Sequence, residues 1–246
     1  ATSGTATILS EPVSSGKAKI KIGFLPERPY FYVHLTPREL LHFYGQLYEL
    51  PKKNREERIN TLLTRTEMMN FIDVPMKSFS KGMLQRIGLC QALLHKPELL
   101  ILDEPMSGLD PLGRALVRDM ILEENKRGAT IFFSSHVLSD VERICDRVAI
   151  LIQGKLRSVD TVDALISSTQ MVEFIISADE HHLPQEWDTV LLPSGLHRIV
   201  VSPAERESHI DILRSIEAKI LEIRPVRLSL EDILVEEIKK DKIDPQ

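Results

Sequence analysis

Hydrophobic residues along this chain switch repeatedly between helical spacing and short unbroken runs, and that switching predicts an α/β fold. Leu40, Leu41, Phe43, Tyr44 and Leu47 recur on one helical face. Thr36-Pro37-Arg38-Glu39 in front of them is a capping box with proline at the first helical position, and Pro51 marks the end. Asn54-Arg55-Glu56-Glu57 reads as the start of a second helix, with Ile59, Leu62 and Leu63 on its apolar side. A third begins at Ser80 and carries Ile87, Leu89, Cys90, Leu93 and Leu94 until Pro97 forbids continuation. Between the helices lie Leu99 to Leu102 and Thr130 to Phe133, continuous enough to be strands buried on both faces of a parallel sheet. Thr5 to Leu9 and Ile20 to Leu25 read as further strands.

Asp110-Pro111 caps a long helix reaching about Lys126 and stopped by Gly128, and Ser139-Asp140-Val141-Glu142 begins another. Val148 to Ile152 and Lys155 to Val159 form a hairpin around Gln153-Gly154. Beyond Thr161 the character changes. Prolines 184, 193 and 203 punctuate irregular segments. Met171 to Ser177 and Ile199 to Val201 read as strands, and His209 to Ile220 as a helix; Arg224 to Leu234 leads into a last helix. This predicts a main domain over residues 1–159, with a helical subdomain over about 36–96, and a small α+β appendage over 160–246.

The bulk numbers remove several classes of function. The 246 residues carry a net charge of −5, which gives no case for nucleic acid as the main partner. No apolar run approaches the roughly 18–20 residues that cross a bilayer, and no signal peptide is visible. Membrane association is therefore expected through a partner. Cys90 and Cys145, far apart, read as reduced thiols, and Met68 with Met69 as core filling. His181-His182 lacks a third ligand at a useful spacing and reads as a solvated loop.

Chemistry concentrates between Phe79 and Asp110. Ser80 can cap its helix, and Gly82 lets a ligand approach the free amides of the first turn, a natural anion site. Asp103 and Glu104 follow the Leu99–Leu102 run, at the strand end where open α/β sheets bind ligands. Neighbours on a strand point to opposite sides, so the two carboxylates are expected to do different work: one holding Mg²⁺, the other polarising water.

These residues resemble the ATPase subunit of an ABC transporter. Phe79-Ser80-Lys81-Gly82-Met83 is similar to the family's signature motif, Leu99 to Glu104 to its Walker B strand, and Ser107-Gly108-Leu109-Asp110 to its D-loop. His136 stands where the switch histidine does, and Glu27 where the Q-loop glutamine does. The resemblance spans roughly residues 1–159 and implies a P-loop NTPase-like, mostly parallel sheet with helices on both faces.

It further implies roles: Glu104 as general base and His136 at the γ-phosphate; Asp103 and Glu27 toward Mg²⁺; Ser80, Lys81, Gly82, Met83, Gln85, Ser107 and Asp110 toward ATP. Two copies, or this chain and a second ATPase subunit, would sandwich ATP head to tail and drive an integral membrane subunit from the cytoplasmic face of the membrane, exporting a substrate. Pro29-Tyr30-Phe31-Tyr32 lies where the membrane subunit docks, and either forms that groove or folds inward as core.

One departure stands out. The loop G-x-x-x-x-G-K-[ST], which holds the β- and γ-phosphates, does not occur, and Gly16-Lys17 lacks its other members. An N-terminally incomplete copy is the expectation. Two alternatives stay open: a catalytically deficient partner lending only its signature motif, or a soluble ABC ATPase of translation or DNA repair.

Overall fold

The computed structural model describes residues 3–167, 170–178, 182–184, 186–227 and 229–243. They form two compact units, residues 1–140 and 141–246, a division earlier in the chain than residue 159.

In the first unit a hairpin of β1 (Thr7–Ile8) and β2 (Glu11–Pro12) precedes α1 (Gly16–Lys19), β3 (Ile22–Leu25), α2 (Pro37–Leu47) and α3 (Lys52–Arg65). Then come α4 (Lys81–Leu93), β4 (Leu99–Asp103), α5 (Pro111–Lys126) and β5 (Thr130–Ser134). The capping box of α2 closes in both directions: Thr36 Oγ1 accepts from the Glu39 amide, and the Glu39 carboxylate accepts from the Thr36 amide. Helix α3 starts at Lys52, ahead of the expected Asn54, with Pro51 at its N-cap and no side-chain cap. Met68 is core, whereas Met69 is 37% exposed, against the expectation of core filling for both.

Strands β3, β4 and β5 pair in parallel, with β4 in the middle. Helix α4 lies tight on β3, and two glycines permit it. A Cβ on Gly23 would stand 2.2 Å from the Ala92 carbonyl oxygen, and one on Gly88 2.5 Å from Leu25 Cδ1. Leu100 and Leu102 are sealed on this face. On the other face Phe24, Ile101 and Phe132 stand in register, and Phe132 is 65% exposed. Burial on both faces therefore fails for Thr130–Phe133 and is incomplete for Leu99–Leu102: the face carrying Phe24, Ile101 and Phe132 is left partly open across all three strands, and burial alternates along them.

The second unit opens within α6 (Leu138–Ile144) and continues through the hairpin of β6 (Arg147–Ile152) and β7 (Lys155–Thr161), then α7 (Val162–Ser167). Gln153 and Gly154 both have positive φ, as a two-residue hairpin turn requires. Next come β8 (Gln170–Ser177), β9 (Thr189–Leu191), β10 (His197–Val201), α8 (Arg206–Ser215), β11 (Lys219–Arg227) and α9 (Leu230–Ile243). The four strands make an antiparallel sheet in the order β11-β8-β10-β9. Its core is Phe174, Ile176, Ile199, Ile210 and Leu213, with Trp187 packed against it.

The helix expected over His209–Ile220 ends at Ser215, because Lys219 and Ile220 pair with Ser177 and Ile176 as the start of β11. Strand pairing overrides a helical spacing of Ile210, Leu213 and Ile216 that runs on past the helix. His182 is exposed, and His181 and Leu228 lie outside the described residues. Both cysteines are free thiols, and burial pushes Cys90 up to about 12.

Candidate functional site

All three parallel strands end at one edge, and the site is built there. Asp103 closes β4 and Ser134 closes β5, paired in register. The Ser134 hydroxyl donates to Asp103 Oδ1 at 2.6 Å and accepts from the Glu104 amide at 3.1 Å. Glu104 itself is past the strand, with φ +49° in the left-handed region. A non-glycine residue there costs on the order of 1–3 kcal/mol and needs its surroundings to hold it. Glu104 therefore lies outside the pleat, and the alternation expected of neighbours on a strand does not apply to it.

His136 comes back to this turn. Its Nδ1 lies 2.7 Å from Glu104 Oε2, and because a carboxylate only accepts, Nδ1 carries the proton of that bond. The histidine ring is otherwise in solvent, leaving Nε2 for another group. Asp103, Glu104 and His136, foreseen from sequence, are therefore brought together. Ser134 was not foreseen. Its signal was present in Ser134-Ser135-His136, but only the β4–β5 register shows which serine meets the acids.

The helix start forms the second part. Ser80 Oγ accepts from the Met83 amide at 3.2 Å, fixing the first turn of α4. Lys81 Nζ donates to Ser107 Oγ at 2.9 Å. Gly82 serves packing as well as ligand approach, since a Cβ there would lie 3.2 Å from the Gly108 carbonyl oxygen. Gly108, at φ +73°, faces the Lys81 stem just as closely. Ser80, Gly82, Met83, Arg86, Gly108 and Asp110 thus line one cavity of about 380 Å³. Asp110 Oδ1 accepts from the Gly113 amide at 3.0 Å to cap α5. Arg86, absent from the sequence reading, donates to the Thr66 carbonyl and Glu67 Oε2 and stands 3.7 Å from Asp110.

Gln85 requires a correction. Five residues beyond Ser80 it faces inward, is fully buried, and donates from Nε2 to the Glu104 carbonyl at 3.3 Å. Its side chain exposes no surface at the helix start in this structure. Glu27 is exposed in the loop after β3, at the same sheet edge. Tyr30 and Tyr32 are 90% and 66% exposed, so of the two fates open to this segment they take the outward one, while Phe31 is half-buried.

No group of three or more His, Cys, Asp or Glu among the described residues is placed to hold a metal ion. A strand-end carboxylate such as Asp103 is instead the sparse kind of protein ligand that Mg²⁺ takes, one or two carboxylates with phosphate oxygens and water filling the octahedron. Ser134 occupies only Oδ1 of Asp103. Among the described residues no helix is long and apolar enough to cross a membrane.

Residues 1–107 match the family model described as ABC transporter. An uncharacterized ABC transporter ATP-binding protein of Synechocystis is 36% identical over 98% of this chain and 68% of its own length. This chain belongs to the ABC transporter ATP-binding proteins. A Nostoc relative described in the same words is 38% identical over 96% of this chain and 72% of its own length. The bacitracin transport ATP-binding protein BcrA of Bacillus licheniformis is 42% identical over 63% of this chain and 51% of its own length. Among solved structures, an ATP-binding subunit of an ABC transporter aligns with a TM-score of 0.62 at 31% identity, covering 66% of this chain and 68% of that one. As an ABC ATP-binding subunit the chain is of a nucleotide-binding, ATP-hydrolysing class of transport ATPase.

Proposed function

We propose that this ABC subunit couples ATP binding and hydrolysis, at a head-to-tail dimer interface, to substrate export through a separate membrane subunit. The observation that carries the reading is the junction of Asp103, Glu104 and His136 at one sheet edge. Glu104 accepts a proton from the attacking water; the water oxygen bonds to the γ-phosphorus, and the bond to the ADP oxygen breaks. His136, oriented by Glu104 through Nδ1, donates from Nε2 to the γ-phosphate when both ring nitrogens carry a proton. Asp103, with Glu27 as a second carboxylate, would hold Mg²⁺, which offsets phosphate charge.

The amide-rich start at Ser80–Met83, flanked by Ser107 and Asp110, serves the γ-phosphate of the opposing subunit. A ligand held by both subunits stabilises the dimer by mass action, and its hydrolysis loosens it. The phosphate loop G-x-x-x-x-G-K-[ST] is not among residues 1–246, so the β-phosphate cradle is not assigned to any of them. Export is supported by the relatives named for bacitracin transport and linearmycin resistance. Exposed Tyr30 and Tyr32 support docking of the membrane subunit at the cytoplasmic face.

In a chain carrying a phosphate loop ahead of Ala1, Glu104→Gln is expected to retain ATP and elute as a dimer by light scattering. A monomer in saturating MgATP would overturn the shared-nucleotide reading. Tyr30→Ala with Tyr32→Ala is expected to lose capture of the cognate membrane subunit while ATP retention persists.

A further inference from the structure

The backbone of Glu104 has a holder on each side, and neither holder has a role in the reading above. Its N–H is taken by the Ser134 hydroxyl at 3.1 Å, and its carbonyl receives the Gln85 amide at 3.3 Å and the Ser107 N–H at 3.0 Å. A hydroxyl can donate and accept at once, which is the task at Ser134: it donates to Asp103 while accepting from Glu104. Gln85 is fully buried, and its Oε1 has no partner. An apolar residue of that shape would leave no orphaned oxygen, so packing alone does not explain an amide there. What the amide supplies is a donor to the strained turn.

We infer that Ser134 and Gln85 are positioning residues that hold Glu104 in its left-handed conformation and so aim its carboxylate at water. Ser134 ties the base to the Asp103 carboxylate, and Gln85 ties it to the helix that begins at Ser80. A displacement of that helix start is therefore felt at the base through one side chain. This inference rests on Glu104 being the general base.

The test has two parts. In a chain carrying a phosphate loop, Ser134→Ala and Gln85→Leu are expected to lower kcat about ten-fold or more with KM for ATP within two-fold, and Ser134→Thr, which keeps the hydroxyl, to restore kcat. In the present 246-residue chain without nucleotide, Ser134→Ala is expected to speed amide hydrogen exchange at Glu104, and Ser134→Thr is not. A kcat for Ser134→Ala within two-fold of the parent, while Glu104→Gln remains slow, overturns the positioning and leaves the base standing. Near-normal turnover by Glu104→Gln overturns both. Unchanged exchange at Glu104 in Ser134→Ala overturns the positioning whatever the kinetics.

Discussion

Two glutamates, one in each compact unit, show how sheet architecture decides what a carboxylate is for. Glu104 sits just beyond the end of a parallel strand, in a left-handed turn, about a fifth exposed, and beside a histidine that is mostly in solvent. Glu173 sits in the middle of an antiparallel strand, 2% exposed, ion-paired with Arg198 and Arg224. Arg224 stands directly opposite it on β11 and Arg198 diagonally on β10. The middle of an antiparallel sheet surrounds a residue with cross-strand neighbours, which pair off its charge. The end of a parallel sheet leaves its last residue without strand neighbours, and the charge stays available for chemistry.

This contrast is broken most sharply by activity and stability pulling apart. Glu104→Gln, in a chain with a phosphate loop, is expected to slow phosphate release by about 10²–10⁴-fold without lowering the unfolding midpoint. Conversely, Arg198→Ala with Arg224→Ala leaves a buried carboxylate unpaired and is expected to cost the second unit about 3–5 kcal/mol. Urea unfolding followed by the fluorescence of Trp187, the one tryptophan, reads that loss, with turnover per folded molecule unchanged. A fall in turnover per folded molecule would show that Glu173 does more than hold the sheet.

Acid separates the units more gently. In the first unit, burial pushes His95, stacked on Tyr48 at 3.7 Å, down from 6.5 to about 4. Between those values the unfolded chain takes up a proton that the folded chain refuses, so stability falls as pH drops from 6.5 toward 4. Above 6.5 its titration adds no pH dependence. His95→Phe is expected to flatten that part of a stability-against-pH curve. For Glu173, burial raises the pKa but the two arginines outweigh it, leaving it below 4.5. Its contribution is present above 4.5 and fades only as pH falls through the lowered value, so the Trp187 transition should respond at lower pH than the His95 step.

Local chemistry was enough to read much of this molecule. The capping box at Thr36–Glu39, the Asp110-Pro111 start of α5, the Gln153-Gly154 turn and the Ser80 cap all depend on residues within about four positions of each other, and each forms as read. The carboxylates at the end of Leu99–Leu102 were legible for the same reason. What sequence alone did not determine is everything that depends on which strand lies beside which. Only the β4–β5 register places Ser134 against Asp103 and Glu104; only the packing of α4 turns Gln85 inward. Only the pairing of β11 with β8 converts the end of an apparent helix into a strand and sets Arg224 opposite Glu173. Short-range preferences are written residue by residue, whereas register and facing are settled by burial of surfaces that distant segments share.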